Sequence, residues 1–414
     1  MNTTIARARW FRLIPIAFIT YSLAYLDRAN FSFGVAAGMG EDLNITKATS
    51  SLLTSLFFLG YFFFQIPGTH YAAKRSAKKL IFWSLISWGI MAMATGMVTN
   101  VKLLMVIRFM LGITESAVMP AMLVLLSRWF TKSERSRANT FLILGNPVTV
   151  LWMSVLSGYL VNSLGWRWMF ILEGAPAIIW AVCWWWLVND RPREAKWLTE
   201  SEKDAIEEHL KNEQQGIKPV KNYGQAFASK TVILLCLQYG LWSVGVYGLV
   251  MWLPSIIKAA PDMDMVKTGW LSAIPYLFAA IGMLVASWGA DKTLNRKIFV
   301  WPFLLLGAIA FYSSYLVGME NFTVSFILLV IAGMAMYAPY GPFFAAIAES
   351  LPANVAGGAI ALINSFGALG SFAGSYYVGI LNERTGGFGA SFMLMAGSLL
   401  LSALLTMIAI KRSK

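Results

Sequence analysis

The first long apolar run of the chain reads LIPIAFITYSLAYLDRANFSFGVA over residues 13–36. Two opposite charges, Asp27 and Arg28, interrupt it, and a second opposed pair, Arg108 and Glu115, lies inside another apolar run. A charge at the centre of a bilayer costs roughly 2.5–3.5 kcal/mol even on the lenient insertion scale. Four such charges are hard to keep unless they face one another or a watery cavity, so they predict a carrier with a charged central site.

Composition also indicates a membrane-spanning chain. Of the 414 residues, 58% are hydrophobic and 13% are charged, and the mean hydropathy is +0.63, whereas soluble proteins carry roughly 25% charged residues. Apolar runs long enough to cross about 30 Å of hydrocarbon recur along the whole length. We predict an all-α membrane protein of twelve helices in two bundles of six, at residues 13–36, 49–70, 80–99, 101–127, 138–161, 168–188, 230–255, 268–290, 298–317, 322–348, 356–380 and 388–410.

The longest polar stretch divides the predicted helices into two halves. Within it, Thr199 and Glu202 are spaced as a capping box that begins a short amphipathic helix, and Gly216 is placed to end that helix. Two six-helix halves around a site at the bilayer midplane are typical of carriers that alternate access. The predicted domains are an N-terminal bundle at 1–188, a cytoplasmic linker at 189–229 and a C-terminal bundle at 230–414.

The positive charges of the loops predict the orientation. Of the 33 Lys and Arg residues, 25 fall in segments that are cytoplasmic if both termini lie inside the cell, and Arg28 and Arg108 lie within spans. Cytoplasmic loops carry an excess of Lys and Arg, so we predict a multi-pass protein of the bacterial inner membrane with cytoplasmic termini. The basic residues predicted outside are Lys47, Lys102, Arg167, Lys258, Lys267 and Arg384.

Other classes of function find little support in the sequence. The net charge of +13 is spread over short loops on one membrane face, where anionic lipid headgroups, and not nucleic acid, are the expected partner. Cys183 and Cys236 offer no spacing for a disulfide or a metal, and we expect no cofactor. An enzyme is disfavoured because the chain has only His70 and His209 as histidines, and neither an HExxH motif nor a nucleophile elbow.

Five short motifs resemble those of one transporter family. They are YLDRAN at residues 25–30, QIPG at 65–68, RFMLGITE at 108–115, WRWMF at 166–170 followed by Glu173-Gly174, and WLP at 252–254. Over the whole chain the sequence resembles the anion:cation symporter family of the major facilitator superfamily. The resemblance implies the major facilitator fold and a secondary transporter of small organic anions, driven by protons in bacterial members. Its solutes would be sugar acids such as aldonates and hexuronates, or related carboxylates.

One loop motif of that family, G-x-x-x-D-[RK]-x-G, departs here from its usual form. After the second helix the usual Asp is Ala73 and the second Gly is Ser76, whereas the copy after the eighth helix keeps Asp291 and Lys292. The loss bears on how tightly the N-terminal half is latched in the inward-closed state. It does not touch the solute site.

Helical spacing places Arg28 beside tyrosines in the first helix. One face of this helix carries residues at positions i, i+4, i+7 and i+11, namely Tyr21, Tyr25, Arg28 and Ser32. Asp27 is turned about 100° away from that face. Arg28 and Tyr25 can therefore face a cavity and contact the solute, while Asp27 points to a neighbouring helix. The family comparison makes Arg28 a cation on the solute side and Asp27 a proton carrier or its structural partner. The alternative for Asp27 is a buried pair with arginine that only locks helices together.

Arg108 and Glu115 share one face of the fourth helix, roughly 10.5 Å apart along its axis. They are too far apart for a direct pair on a straight helix, so each needs another partner or water. Burial favours the neutral form of a carboxylate and a nearby guanidinium favours the charged form. An arriving anion can therefore change whether Glu115 holds a proton, which predicts a proton-coupling role. Arg108 either grips a solute carboxylate with two hydrogen bonds or only holds Glu115 and Asp27 electrostatically.

Polar residues in other spans are weaker candidates. Tyr61, Asn146 and Asn364 occupy family positions that face the central cavity and would bind solute hydroxyls; hydrogen bonding between helices is the alternative. The segment YAPYGP at 337–342 should kink or unwind the tenth helix, which a membrane tolerates where the backbone lines a cavity. Further candidates for the pocket are Gln238, Tyr239 and Trp242.

These observations lead to one main hypothesis. The N-terminal half holds the four deep charges and helices seven to twelve hold none, so proton coupling is expected in the N-terminal half. When all four are ionised their charges sum to zero, and a bound proton and a bound anion then favour each other. We predict a monomeric symporter that imports a small carboxylated, hydroxylated solute with protons by alternating access. An organic-anion exchanger or uniporter on the same fold is the alternative, and a membrane-embedded enzyme belongs to a third, less supported class.

Overall fold

The computed structural model describes residues 8–214, 229–293, 295–318, 321–350 and 353–409. All regular elements within these ranges are helices. The described part leaves out the two ends of the chain, Gly216 of the predicted linker and the side chain of Asp291.

Six long helices form the N-terminal half. Polar side chains begin several of them: Thr46 accepts a hydrogen bond from the backbone N–H of Thr49, and Ser76 accepts one from that of Lys79. These N-caps satisfy backbone donors that the first helical turn leaves unpaired. The helices are α1 (Ala8–Ala36), α2 (Lys47–Lys74), α3 (Ala77–Met97), α4 (Val101–Ser116 and Val118–Ser127), α5 (132–164) and α6 (166–187).

Two features of this half are not visible in its hydrophobic pattern. The helix α4 is interrupted at Ala117, and Glu115 lies in the last turn before the interruption. The helices α5 and α6 form one continuous helical segment, Lys132–Leu187, that bends at Gly165, where φ is 81°. Glycine adopts positive φ without steric cost, so this residue separates the two spans.

Six further helices form the C-terminal half. Ser229 caps α7 by accepting from the backbone N–H of Val232, and Asn321 caps α10 in the same way through Val324. The predicted break in the tenth helix lies at residues 338–339. The helices are α7 (Lys230–Lys258), α8 (Met265–Thr293), α9 (Trp301–Val317), α10 (Phe322–Tyr337 and Tyr340–Ser350), α11 (Ala353–Thr385) and α12 (Gly389–Ala409).

The number of spans agrees with the sequence prediction. By length and hydropathy, 9 described segments can cross a membrane, and one of them, Phe141–Leu187, contains both α5 and α6. The helix α1, which carries Asp27 and Arg28, and the helix α11, rich in glycine and serine, complete the set of twelve. The prediction of an all-α membrane protein with two bundles of six helices is therefore confirmed.

The two halves meet mainly along three helix pairs: α1 with α7, α2 with α11, and α5 with α8. The contact between α5 and α8 is close, because a Cβ atom added at Gly158 would lie 2.6 Å from the carbonyl oxygen of Met265, and one at Gly269 would lie 2.5 Å from that of Ser154. Small residues allow backbones to approach in this way. Between α2 and α11, the hydroxyl of Ser365 donates to Gln65 Oε1 at 3.0 Å.

The linker contains a short α-helix, Glu200–Gln214. Its capping box is present: Thr199 N and Thr199 Oγ1 both donate to Glu202 Oε2 at 2.9 Å, and Glu202 N donates to Thr199 Oγ1 at 3.3 Å. The spacing of these two residues thus identified the first turn correctly.

The altered loop after α2 has a carboxylate from another part of the chain. Asp190, which follows α6, accepts hydrogen bonds from Ser76 Oγ, from Lys78 N at 3.0 Å and from Arg128 Nη1 at 3.3 Å. Arg128 also donates to the carbonyl oxygens of Ala72 and Ala73, at 3.1 and 2.8 Å. The loop without its usual aspartate is therefore still tied to the ends of α4 and α6.

Candidate solute and proton site

A small cavity lies between the two halves at mid-height of the helices, with a volume of about 50 Å³. Among the described residues that line it, Arg28 carries the only charge. The N-terminal half also contributes Tyr61 and Asn146. The C-terminal half contributes Tyr239, Ser243, Tyr247, Tyr340, Phe344 and Asn364. Four predicted solute residues, Arg28, Tyr61, Asn146 and Asn364, are thus brought to one cavity.

Arg28 is held by one carboxylate and three aromatic rings. Its Nη2 donates to Glu115 Oε2 at 3.2 Å. Its guanidinium carbon lies 4.9 Å from the ring centre of Tyr61, 5.3 Å from that of Tyr25 and 5.4 Å from that of Phe57, distances at which cation–π attraction is effective. Arg28 Nε is buried without a hydrogen-bond partner in the described part, so Glu115 does not satisfy the whole guanidinium group.

Glu115 is the partner that sequence spacing could not identify. It is 1% exposed, and its Oε1 has no hydrogen-bond partner within the described ranges. The ion pair with Arg28 joins α1 to α4 directly behind the cavity. A carboxylate in this position competes with any anion that reaches Arg28.

Arg108 lies behind the cavity and does not line it. Its Nε donates to the carbonyl oxygen of Leu53 at 3.4 Å, and its guanidinium carbon lies 4.1 Å from the ring centre of Phe31 and 5.5 Å from that of Phe57. It also interacts electrostatically with Glu115 and Asp27. Of the two roles considered for Arg108, this geometry supports the electrostatic one.

Tyr25 likewise does not line the cavity. Its hydroxyl is hydrogen-bonded to that of Tyr337 at 3.2 Å, in a contact between α1 and α10. The direct contact of Tyr25 with the solute therefore stays a prediction. Because the two tyrosines belong to different halves, this bond must break whenever α1 and α10 separate.

Asp27 faces a second polar cluster. Its Oδ1 lies 3.5 Å from Asn30 Nδ2, which also donates to Glu173 Oε2 at 3.0 Å. The hydroxyl of Ser157 donates to Glu173 Oε1 at 2.7 Å. Glu173 was not among the predicted site residues, and the count of four deep charges was wrong because Glu173, in α6, is a fifth. Its position inside an apolar span was a signal that could have found it.

The C-terminal wall is aromatic. The ring of Tyr239 stacks on Phe343 with centres 5.5 Å apart, and Trp242 packs edge-on against Tyr239 at the same separation. Trp242 Nε1 donates to the carbonyl oxygen of Met336, just before the break in α10. Of the three further candidates, Tyr239 reaches the cavity, whereas Trp242 supports the wall and Gln238 donates to Thr406 Oγ1 at 3.0 Å, away from the cavity.

The sequence is similar to those of several known proteins. The chain is 31% identical over 420 residues to a protein of Agrobacterium vitis named "Putative tartrate transporter", covering 100% of this chain and 93% of that protein. It is 30% identical over 413 residues to the quinolone resistance transporter of Acinetobacter baumannii, covering 98% and 94%. It is 27% identical over 382 residues to the D-galactonate transporter of Escherichia coli O6:H1, covering 89% and 86%.

The fold has close counterparts among solved structures. The inward-open xylose transporter of E. coli superposes with a TM-score of 0.79 at 14% identity, covering 98% of this chain and 97% of that chain. The sequence profile of the Major Facilitator Superfamily matches residues 17–375. The family and these relatives are transporters and not enzymes. The chain is therefore an integral, multi-pass membrane transporter that belongs to the major facilitator superfamily.

Proposed function

We propose that this chain is a proton-coupled symporter that imports a small organic anion, such as a sugar acid or a related hydroxylated carboxylate. The observation that carries the proposal is the position of Arg28, the charged residue of the cavity wall in the described part of the chain. A guanidinium can bind a carboxylate through two hydrogen bonds. Asn146, Tyr61 and Asn364 offer hydrogen-bonding groups around it for hydroxyls.

Coupling follows from competition for Arg28. A solute carboxylate that binds this guanidinium displaces Glu115, whose Oε2 now lies 3.2 Å from Arg28 Nη2. A buried carboxylate left without its partner is costly, and taking up a proton removes that cost. Anion binding then favours proton binding, and the reverse must hold by linkage.

The small size of the cavity supports alternating access. Its volume of about 50 Å³ is far below the roughly 300–1,000 Å³ of ordinary ligand pockets. The solute can enter only when the halves separate on one side, which breaks contacts such as Tyr25 with Tyr337. The close approach of Gly158 to Gly269 marks a second contact that opening would break.

The relatives support the class of solute. Two of the three named above are described as transporters of tartrate and of D-galactonate, which are hydroxylated carboxylates. The excess of Lys and Arg on one side of the predicted topology supports the proposal that both termini lie inside the cell.

Transport into proteoliposomes tests the proposal. Purified protein should accumulate D-galactonate or tartrate above equilibrium when the outside is made acidic, and should not accumulate neutral galactose. Collapse of the pH gradient with a protonophore should abolish accumulation and leave exchange intact. Accumulation that ignores the gradient would support the exchanger or uniporter, and uptake of galactose in preference to galactonate would reject the anion site.

A further inference from the structure

Behind the cavity lies a second buried cluster, formed by side chains of α1, α5 and α6. Its members, Asp27, Asn30, Ser157 and Glu173, are 1%, 0%, 0% and 3% exposed. None of them lines the solute cavity. The account of coupling by Glu115 and Arg28 leaves the two carboxylates of this cluster without a role.

One amide joins the two carboxylates. Asn30 Nδ2 lies 3.5 Å from Asp27 Oδ1 and 3.0 Å from Glu173 Oε2, so these two oxygens are at most about 6.5 Å apart. The remaining donor, the hydroxyl of Ser157, is also neutral. In the described part of the chain neither carboxylate forms an ion pair with a basic side chain. Two unpaired negative charges this close together in a dry interior are unfavourable.

The cluster has unsatisfied hydrogen-bonding atoms that a proton would satisfy. Asp27 Oδ2 and Asn30 Oδ1 are both buried without a hydrogen-bond partner among the described residues. Buried polar atoms are rarely left unpaired. A proton on a carboxylate oxygen turns an acceptor into a donor, and Asn30 Oδ1 is an acceptor that lacks a donor.

The charges around the cluster also favour one bound proton. Asp27 also faces Arg108, which favours its charge, and Glu115, which opposes it. With Arg28, the buried charged groups around the cavity and this cluster are three carboxylates and two guanidinium groups; the other buried arginine of this half, Arg9, is paired with Glu134 at the start of α1. Fully ionised they carry one net negative charge, and one bound proton makes the set neutral before any solute arrives.

We propose that Asp27 and Glu173 form a carboxylate pair, bridged by Asn30, that binds one proton at a site separate from Glu115 and from the solute cavity. The proton comes from water and binds a carboxylate oxygen, so no other reactant is needed. Glu115 then responds to the solute, while the pair keeps the buried charge balanced. The link between this site and transport rests on the proposed symport, but the existence of the site does not.

Infrared spectroscopy of the purified protein in lipid nanodiscs tests the site without a solute. A spectrum taken at low pH minus one at high pH should contain a C=O stretching band of a protonated carboxyl group. Glu173→Gln should remove or displace a band that Glu115→Gln leaves unchanged. Ser157→Ala keeps the carboxyl group but removes its hydrogen bond, so it should shift that band to higher frequency. If Glu173→Gln does not fold, the band shift in Ser157→Ala tests the proposal in its place.

Identical spectra for the wild type, Glu173→Gln and Ser157→Ala would overturn the proposal, since a purely structural Glu173 would give no such band. Transport provides the second measurement. In liposomes, Glu173→Gln should extend transport of D-galactonate or tartrate to higher pH, because its buried groups are neutral without the proton that the wild-type pair must hold. If the wild type moves neither solute with protons, the proposed symport fails, while the infrared result still decides whether the pair binds a proton.

Discussion

The two walls of the cavity differ in chemistry. The N-terminal wall presents Arg28, with Glu115 and Arg108 behind it, whereas the C-terminal wall presents Tyr239, Tyr340 and other rings. In the described part of the C-terminal half, no Asp, Glu, Lys or Arg side chain is buried. One half therefore carries the charges that can respond to protons and anions, and the other supplies a shaped surface without charge.

This division has a physical reason. Buried charges are costly unless they are paired; here the ion pair joins α1 to α4, and the hydrogen bonds to Glu173 come from α1 and α5, so all these partners lie within one bundle. Such pairs survive when the halves separate, because no partner is carried away. Aromatic rings tolerate exposure to a water-filled cavity, so they can form the surface that is uncovered and covered in each cycle.

The largest effect expected from this division is the loss of coupling in Glu115→Gln. The variant mimics the protonated form and cannot release a proton, so accumulation driven by a pH gradient should be abolished. Solute exchange at equal pH should remain measurable in the same liposomes. Glu208→Gln, on the exposed linker helix, is the matched control and should accumulate solute normally. Normal accumulation by Glu115→Gln would remove this residue from the mechanism.

The second effect concerns the grip on the anion. Arg28→Lys keeps the charge but loses bidentate binding. Since hydrogen bonds to charged groups contribute about 1.5–3 kcal/mol, affinity for D-galactonate or tartrate should fall roughly 10- to 150-fold in calorimetry. Arg108→Lys, behind the cavity, should reduce affinity less. If the two variants lose affinity equally, Arg28 does not bind the anion more directly than Arg108 does.

The third effect concerns the surface along which the two halves separate. Gly158→Val places a side chain against the backbone of α8, where a Cβ atom would lie 2.6 Å from Met265 O. Overpacking costs about 1–3 kcal/mol, so the population of states with α5 and α8 apart should rise about 5- to 150-fold. Distances between spin labels on the two helix ends report this shift. Gly397→Val, which meets no atom within 4 Å, should leave the distances unchanged.

The fourth effect is the pH dependence of binding. If protons and the anion favour each other, affinity should rise as pH falls, by at most about tenfold per pH unit for each coupled proton. The double variant Asp27→Asn with Glu115→Gln should show little pH dependence, because two titrating groups are gone. Arginine cannot replace them, since its guanidinium stays protonated. A flat wild-type profile, or equal pH dependence in the double variant, would place the coupling elsewhere.

The sequence predicted the fold and part of this site. Periodicity and hydropathy were sufficient for twelve helices, and the charges inside spans indicated Arg28 and Glu115. Periodicity gives the face of a helix but not the neighbour it meets, so it could not show that Glu115 pairs with Arg28 or that Arg108 packs on the rings of Phe31 and Phe57.

Contacts between distant parts of the chain were likewise invisible. The bond between Tyr25 and Tyr337 joins residues 312 positions apart, and no local pattern encodes it. Asp190 is bonded to the loop that lacks its usual aspartate, from a position 114 residues beyond Ser76. Glu173 is an intermediate case. The sequence shows a carboxylate in an apolar span, but it does not show that Asn30 and Ser157 are its partners.

The smallest expected effect tests the uncharged wall. Tyr340→Phe removes one hydroxyl from the cavity lining, and a neutral hydrogen bond contributes about 0.5–1.5 kcal/mol. Affinity for a hydroxylated carboxylate should therefore fall about two- to tenfold in calorimetry. Tyr312→Phe, on the outer surface of α9, should bind normally. Because Tyr340 belongs to the wall without buried charge, the variant should keep the wild-type change of affinity with pH. A changed pH profile in Tyr340→Phe would mean that the aromatic wall takes part in proton coupling, and the separation of the two walls would fail.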